Sequence, residues 1–271
     1  MFKYGGFFTY KYFLDGYKGQ DYMGIEQLSF SGIAILAIIL VSVFLRKISH
    51  KKIDMLLKVF AFLIPLLEIL KITVESYYDI KGGHGFNFSG LLPIYTCSLF
   101  IYTLPFAAFG KGKAREYSLS FLTTMGIFAG LTNFIMAPIL NTYPFFNFHT
   151  FISLNFHFWM VFIGIFLIST KYYVPKWSDI FKSMVPIVIL SVVAIPVNYA
   201  LSAYYGWSVD YMLFHSGNAA PILPTVSNKL AELGLRPVYT CIVYIIYIVI
   251  AAIIVSVIRL LCFLTKKISS R

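Results

Sequence analysis

Apolar runs close to 20 residues long recur from one end of this chain to the other. A helix of about 20 residues spans the ~30 Å hydrocarbon layer of a bilayer. That recurrence leaves few folds open. In lipid every backbone amide must find a partner within the protein, so only helices or a closed barrel can cross. Barrel strands alternate polar and apolar residues, and these runs do not. The expected fold is therefore an all-α membrane protein, a bundle of about seven transmembrane helices. A soluble domain is excluded, because 12% of residues are charged and 59% hydrophobic, whereas ordinary domains carry about a quarter charged residues.

Length places the spans at Gln27–Leu45, Ile53–Val74, Leu91–Phe109, Tyr117–Leu140, Phe151–Ser169, Ile180–Ser202 and Pro237–Leu264. The formal net charge of +11 sorts onto this frame. Arg46, Lys47, Lys51 and Lys52 follow span one, and Lys111, Lys113 and Arg115 follow span three. Lys171, Lys176 and Lys182 follow span five, and Arg259, Lys266, Lys267 and Arg271 lie at the end of span seven. With seven spans all four clusters share one face, which the positive-inside rule makes cytoplasmic. The amino terminus is then outside and the carboxyl terminus inside. The basicity reflects topology and contact with anionic lipid. It does not suggest nucleic acid, which needs a soluble basic surface.

Residues 1–26, "MFKYGGFFTYKYFLDGYKGQDYMGIE", mix six charges with many aromatic rings. They lack the apolar core of a cleavable signal and read as an interfacial segment with Tyr and Phe at headgroup level. Residues 27–271 read as a single domain without internal repeats. The outer connection 203–236 is too long for a turn. Its Trp207, Tyr211, Met212, Leu213 and Phe214 suggest a lid or re-entrant piece.

Ionisable groups inside spans are costly and mark function by default. Counted from the outer span ends at ~1.5 Å per residue, Glu68, Cys97 and His157 each lie about 9 Å down, and Asn198 about 6 Å. Glu68, Lys71 and Glu75 stripe one helical face at i, i+3 and i+7, as either a self-neutralising pair or a site. Gly126, Gly130, Asn133 and Ala137 share a face of span four and read as close packing, with Asn133 as interhelical glue. Ser153 and His157 are one turn apart. No second His or Cys stands at metal-ligand spacing, so no metal or other cofactor is expected. Pro196 frees a carbonyl beside Asn198 and Tyr199, which aims a donor into a cavity or merely kinks the helix. Cys97 is either reactive or bridged to Cys241, which lies at similar depth; Cys262 reads as inert.

The order "LLEILK", a polar Gly-rich outer loop, "LPIYTCSLF", a Gly-rich span four, a His early in span five, "NY" late in span six and "DYMLF…AAP" resembles the YwaF family of bacterial integral membrane proteins from about Gly24 onward. That resemblance implies a distant link to eukaryotic multi-pass phospholipid acyltransferases with a Cys and His site. It maps the Cys to Cys97, the His to His157, the span-two Glu and Lys to Glu68 and Lys71, and the "NYM" stretch to Asp210, Tyr211 and Met212. Tyr95 stands where that family usually has a His.

The expected activity is acyl transfer or ester hydrolysis on membrane lipids in the outer leaflet of the cell membrane. Cys97 is the nucleophile, His157 its base and Glu68 the group that orients the base. Lys71 holds Glu68. Tyr95, Ser98 and Asn198 are candidate oxyanion donors, with Tyr199 and Tyr211 beside them at the substrate. The alternative is a non-enzymatic small-solute transporter or receptor that uses the same polar layer.

Overall fold

The computed structural model describes residues 5–14, 16–19, 24–215 and 223–269. The described chain is helical, with no strand among the described residues. The helices are α1 (Ile25–Phe44), α2 (His50–Lys81), α3 (Phe88–Leu91), α4 (Leu99–Phe109), α5 (Gly112–Leu122), α6 (Met125–Met136), α7 (Phe148–Ser169), α8 (Asp179–Lys182), α9 (Met184–Tyr205), α10 (Leu223–Glu232) and α11 (Arg236–Ser269). Short 3₁₀ turns at Pro138–Asn141 and Tyr211–Leu213 fill two of the connections.

Seven spanning helices were expected, and five helical stretches among the described residues are long and apolar enough to cross: Ile25–Lys47, Gly112–Asn141, Phe148–Ser169, Asp179–Tyr205 and Arg236–Leu264. The other two expected spans differ for physical reasons. α2 has 32 residues, but Asp54, Lys58, Glu68, Lys71, Glu75 and Asp79 interrupt its apolar face. The third expected span has as its long helix only the 11 residues of α4, about 16 Å.

The helix pairs α6–α7, α2–α4 and α4–α5 make the most extensive contacts. α6 and α7 meet through glycine, as the small-residue stripe predicts. A Cβ built on Gly130 would lie 3.0 Å from the His157 carbonyl and against Val161; one on Gly164 would lie 2.6 Å from the Leu122 carbonyl and against Ile127. Backbone atoms cannot retreat as a flexible side-chain tip can. Gly164→Val is therefore expected to cost about 1–3 kcal/mol through overpacking, measured as a lower midpoint of thermal unfolding in detergent. Between α5 and α6 the chain breaks at Thr123–Thr124, both fully buried. There the hydroxyls of Thr123 and Thr124 donate to the carbonyls of Leu119 and Ser120 at 2.8 and 2.6 Å, competing with the helix ladder.

The basic connections gather at one end of the bundle. Arg115 donates to Asp54 at 2.6 Å, to the Ala107 carbonyl at 3.1 Å and to the Tyr172 hydroxyl. Ser169 donates to the Ser42 carbonyl at 3.3 Å, and Arg259 lies over the Trp177 ring at 5.4 Å. At the other end the amino-terminal segment folds across the bundle, with Tyr10 only 2% exposed.

Candidate functional site

Cys97 does not open a helix. The residue before a proline is driven away from the α region, and Leu92 accordingly adopts φ −71° and ψ 119°. The chain then runs through tight turns, with the Ser98 amide donating to the Tyr95 carbonyl and the Phe100 amide to the Cys97 carbonyl, both at 3.0 Å. α4 begins only at Leu99, with Ser98 as its N-cap residue. Irregular backbone at membrane depth is tolerated where it is enclosed by protein or lines a cavity. Cys97 is half-buried on this turn, at the positive end of α4, and the backbone N–H groups of Cys97 and Ser98 approach its sulfur.

Around it, α2 supplies an ion pair. Lys71 Nζ donates to Glu68 Oε1 at 2.8 Å. Lys71 acts electrostatically on both the Cys97 thiol and the His157 ring, and Glu68 acts on Cys97 and Tyr102. His157 lies nine residues into α7, about 13 Å along the helix, because α7 starts at Phe148 rather than Phe151. Its Nδ1 lies 2.7 Å from the Ser153 carbonyl. A carbonyl only accepts, so Nδ1 carries the proton and Nε2 keeps its lone pair. Among the described residues no hydrogen bond joins Cys97 to His157. Lys71 is thus the common neighbour, within electrostatic range of Glu68, Cys97 and His157.

Asn198 and Tyr211 belong to a second group. The Asn198 amide nitrogen donates to the Tyr211 carbonyl at 3.0 Å, and its oxygen accepts from the Tyr211 amide at 2.7 Å. At full burial, this pins the segment after α9 rather than presenting a donor to a ligand. Met212 and Leu213 take left-handed conformations, φ 58° and 64°, that fold the segment into the bundle. Tyr239 donates to the Leu213 carbonyl at 2.9 Å and Tyr247 to the Met212 carbonyl at 3.0 Å. The Tyr211 ring, wholly buried, meets Tyr95 edge-on at 4.8 Å. Tyr199 points elsewhere. It is half-exposed, stacked under Arg236 at 5.8 Å and beside His215 at 5.1 Å.

Two residues here were not expected from sequence. Thr96 and Tyr247 share a hydrogen bond at 2.8 Å next to Cys97. Tyr239, Val243, Tyr247, Ala251 and Val255 form an i, i+4 stripe of buried residues on α11, a periodicity that was there to be read. The three cysteines are free, with Cys241 exposed, so the Cys97–Cys241 bridge does not form. Among the described residues no group of three His, Cys, Asp or Glu could hold a metal ion. Of the 203–236 connection, residues 216–222 lie outside the described residues.

His215, in that connection, binds a proton less readily than an ordinary imidazole, first through burial and then through Arg236. A depressed folded value means the unfolded chain takes up the proton first, so the stability this group contributes is present above about pH 6.5 and is lost as pH falls. Limited proteolysis of the 203–236 connection is expected to quicken between about pH 7 and pH 5, and to lose that pH dependence in His215→Phe.

A model of the TMEM164 family matches residues 22–261. That is nearly the whole chain, and the chain belongs to this family. The match corrects the YwaF resemblance, which rested on motifs of a few residues set in hydrophobic spans, where short identities recur easily. The link to phospholipid acyltransferases drawn through that resemblance has no support in the comparisons. No curated protein and no solved structure matches the chain.

Proposed function

We propose that this multi-pass membrane protein of the TMEM164 family transfers or hydrolyses lipid acyl groups through a thioester on Cys97. The observation that carries the reading is the Cys97 turn, which sets a thiol at a helix N-terminus within the field of the half-buried Lys71 ammonium, a charge that also acts on the His157 imidazole with its free Nε2. A thiolate is the nucleophile. The α4 terminus, the Cys97 and Ser98 amides and Lys71 favour negative charge there, against the burial of the thiol and the nearby Glu68 carboxylate. His157 Nε2 accepts the thiol proton. The sulfur attacks the ester carbonyl, the C–O bond breaks, and the leaving alkoxide takes the proton back from His157. In the second half, water or a second alcohol loses its proton to His157 and attacks the thioester, which restores the thiol. Tyr95 and Ser98 are the nearest candidates to donate to the oxyanion. Glu68 keeps Lys71 in place.

The same proposal has α2 and the broken α3–α4 passage crossing with the five longer stretches. That makes seven passages, with the basic end cytoplasmic and the site in the outer half of a cell membrane, supplied by its lipids. The test is to reconstitute the purified protein with a phospholipid bearing an alkyne-tagged acyl chain and to look for a hydroxylamine-labile adduct mapped to Cys97. An adduct on Cys97 that turns over supports the reading. Absence of any adduct, with saturable binding of a small polar solute at the same residues, would replace it with the transporter or receptor reading.

A further inference from the structure

The polar stripe of α2 does not stop at the Glu68–Lys71 pair. Glu75 and Asp79 continue it, so that Asp79 stands about 16 Å above Glu68 along the helix. Lys71 is coupled to Glu75 as well as to Glu68. Glu75 Oε1 lies 3.4 Å from Nδ1 of His149, whose ring stacks on Tyr143 at 4.4 Å. Tyr10 donates to Asp79 at 2.9 Å, and Lys11 lies 3.7 Å from the same carboxylate. Ionisable groups therefore form a continuous file from Lys11 at the end of the bundle down to Cys97 and His157. Most of its upper part is buried: Asp79, Tyr10, Tyr143 and His149 are each under 5% exposed.

Such a file is expensive inside a membrane bundle, and it replaces, on the same face of α2, the apolar row Ile53, Leu57, Phe60 and Ile64 that packs the helix nearer the basic end. Three buried atoms within it lack any hydrogen-bond partner in the protein: both ring nitrogens of His149 and Oγ of Ser76. Buried polar atoms in native proteins are satisfied by protein or by water, and these three belong to residues that contact Glu75 or follow it in α2. Chains of Asp, Glu and His at membrane depth are the usual form of proton relays.

The structure assigns to this file the role of a hydrated path, which admits water and protons from the end of the bundle opposite the basic loops to the Cys97–His157 layer, with the segment Gly5–Phe13 as its cover. The cover is tied down by two hydrogen bonds of 2.8 Å, from the Phe148 amide to the Phe7 carbonyl and from Asn147 Nδ2 to the Thr9 carbonyl. Tyr10 closes it, stacked on Tyr78 at 5.2 Å. What the path serves rests on the acyl-transfer reading, because hydrolysis consumes a water and a buried base must exchange its proton. That the path exists does not depend on it.

The test measures access to Cys97 and needs no turnover. The full chain carrying Cys241→Ser and Cys262→Ser is reconstituted in phosphatidylcholine vesicles. It is treated with the water-soluble cation aminoethyl methanethiosulfonate, and modification of Cys97 is followed by intact mass. Opening the cover with Tyr10→Ala is expected to speed modification roughly tenfold, and adding His149→Phe, which dries the path, to slow it again by roughly tenfold. Asp79→Asn, which loosens the cover while keeping the ring, serves if Tyr10→Ala does not fold. Modification that stays equally slow with the cover loosened, or that ignores His149→Phe, overturns the path. A protein without acyl-transfer activity still yields these rates, so failure of the chemistry and failure of the path are read separately.

Discussion

Cys97→Ser is expected to eliminate the hydroxylamine-labile acyl adduct and to lower turnover by at least about a thousandfold, the scale seen when a nucleophile is removed. The substitution keeps size and hydrogen bonding, so stability should hardly move. It replaces an intrinsically nucleophilic thiol with a hydroxyl that needs far stronger activation. The Lys71 ammonium and the α4 terminus are suited to a thiolate and cannot make up that difference. His157→Ala is expected to cost roughly 10²–10⁴ in the same assay, the range of a lost general base, while leaving Cys97 present for alkylation in denaturant. Wild-type turnover in Cys97→Ser would end the thioester mechanism, whatever the His157 variant does.

Asn198→Ala should be the most damaging change outside the chemistry. Its side chain satisfies both the N–H and the C=O of Tyr211 in a fully buried place. Alanine leaves two backbone groups without partners at roughly 1–3 kcal/mol each, about 2–6 kcal/mol together. The 203–236 connection should become protease-sensitive and the thermal midpoint in detergent should fall. Its neighbour offers the contrast. Tyr199→Ala removes an exposed ring under Arg236, a contact worth about 0.5–1 kcal/mol. Equal losses for the two variants would mean that the Tyr211 segment is not held as described.

What could be read from sequence followed the strength of each physical signal. A helical membrane protein was legible because sustained apolarity admits so few structures. The Glu68–Lys71 pair was legible because i, i+3 spacing is local geometry. The third passage was not, because an apolar stretch opening with Pro93 looks the same as a string of letters whether it is helical or turned. α2 was drawn too short, since Glu75, Ser76, Tyr77, Tyr78 and Asp79 look like a loop until they find Tyr10 and His149 to pair with. Asn198 and Tyr199 were taken together as neighbours in sequence, yet the ~100° step of a helix sends one into the bundle and the other out. The Thr96–Tyr247 bond joins residues 151 positions apart, a distance no local pattern encodes. Family membership was misjudged for a related reason: six-residue motifs carry less information than 240 matched positions.

The short α4 has a consequence for how the protein is made. Insertion machinery admits a segment by its apolarity, and each ionised side chain at a helix centre adds about 2.5–3.5 kcal/mol to the cost. α2 carries Glu68 and Lys71, and α4 offers only 11 helical residues, so neither is a good candidate to enter the bilayer alone. Side by side they are better suited, because the Glu68–Lys71 pair at 2.8 Å neutralises itself and the unwound Leu92–Ser98 stretch gains neighbours for its amides. On the proposal of seven passages, their extensive mutual packing suits them to partition as one hairpin, after α1 and before the strongly apolar spans that follow. Biogenesis, on this view, assembles the Cys97 turn at the moment the hairpin closes.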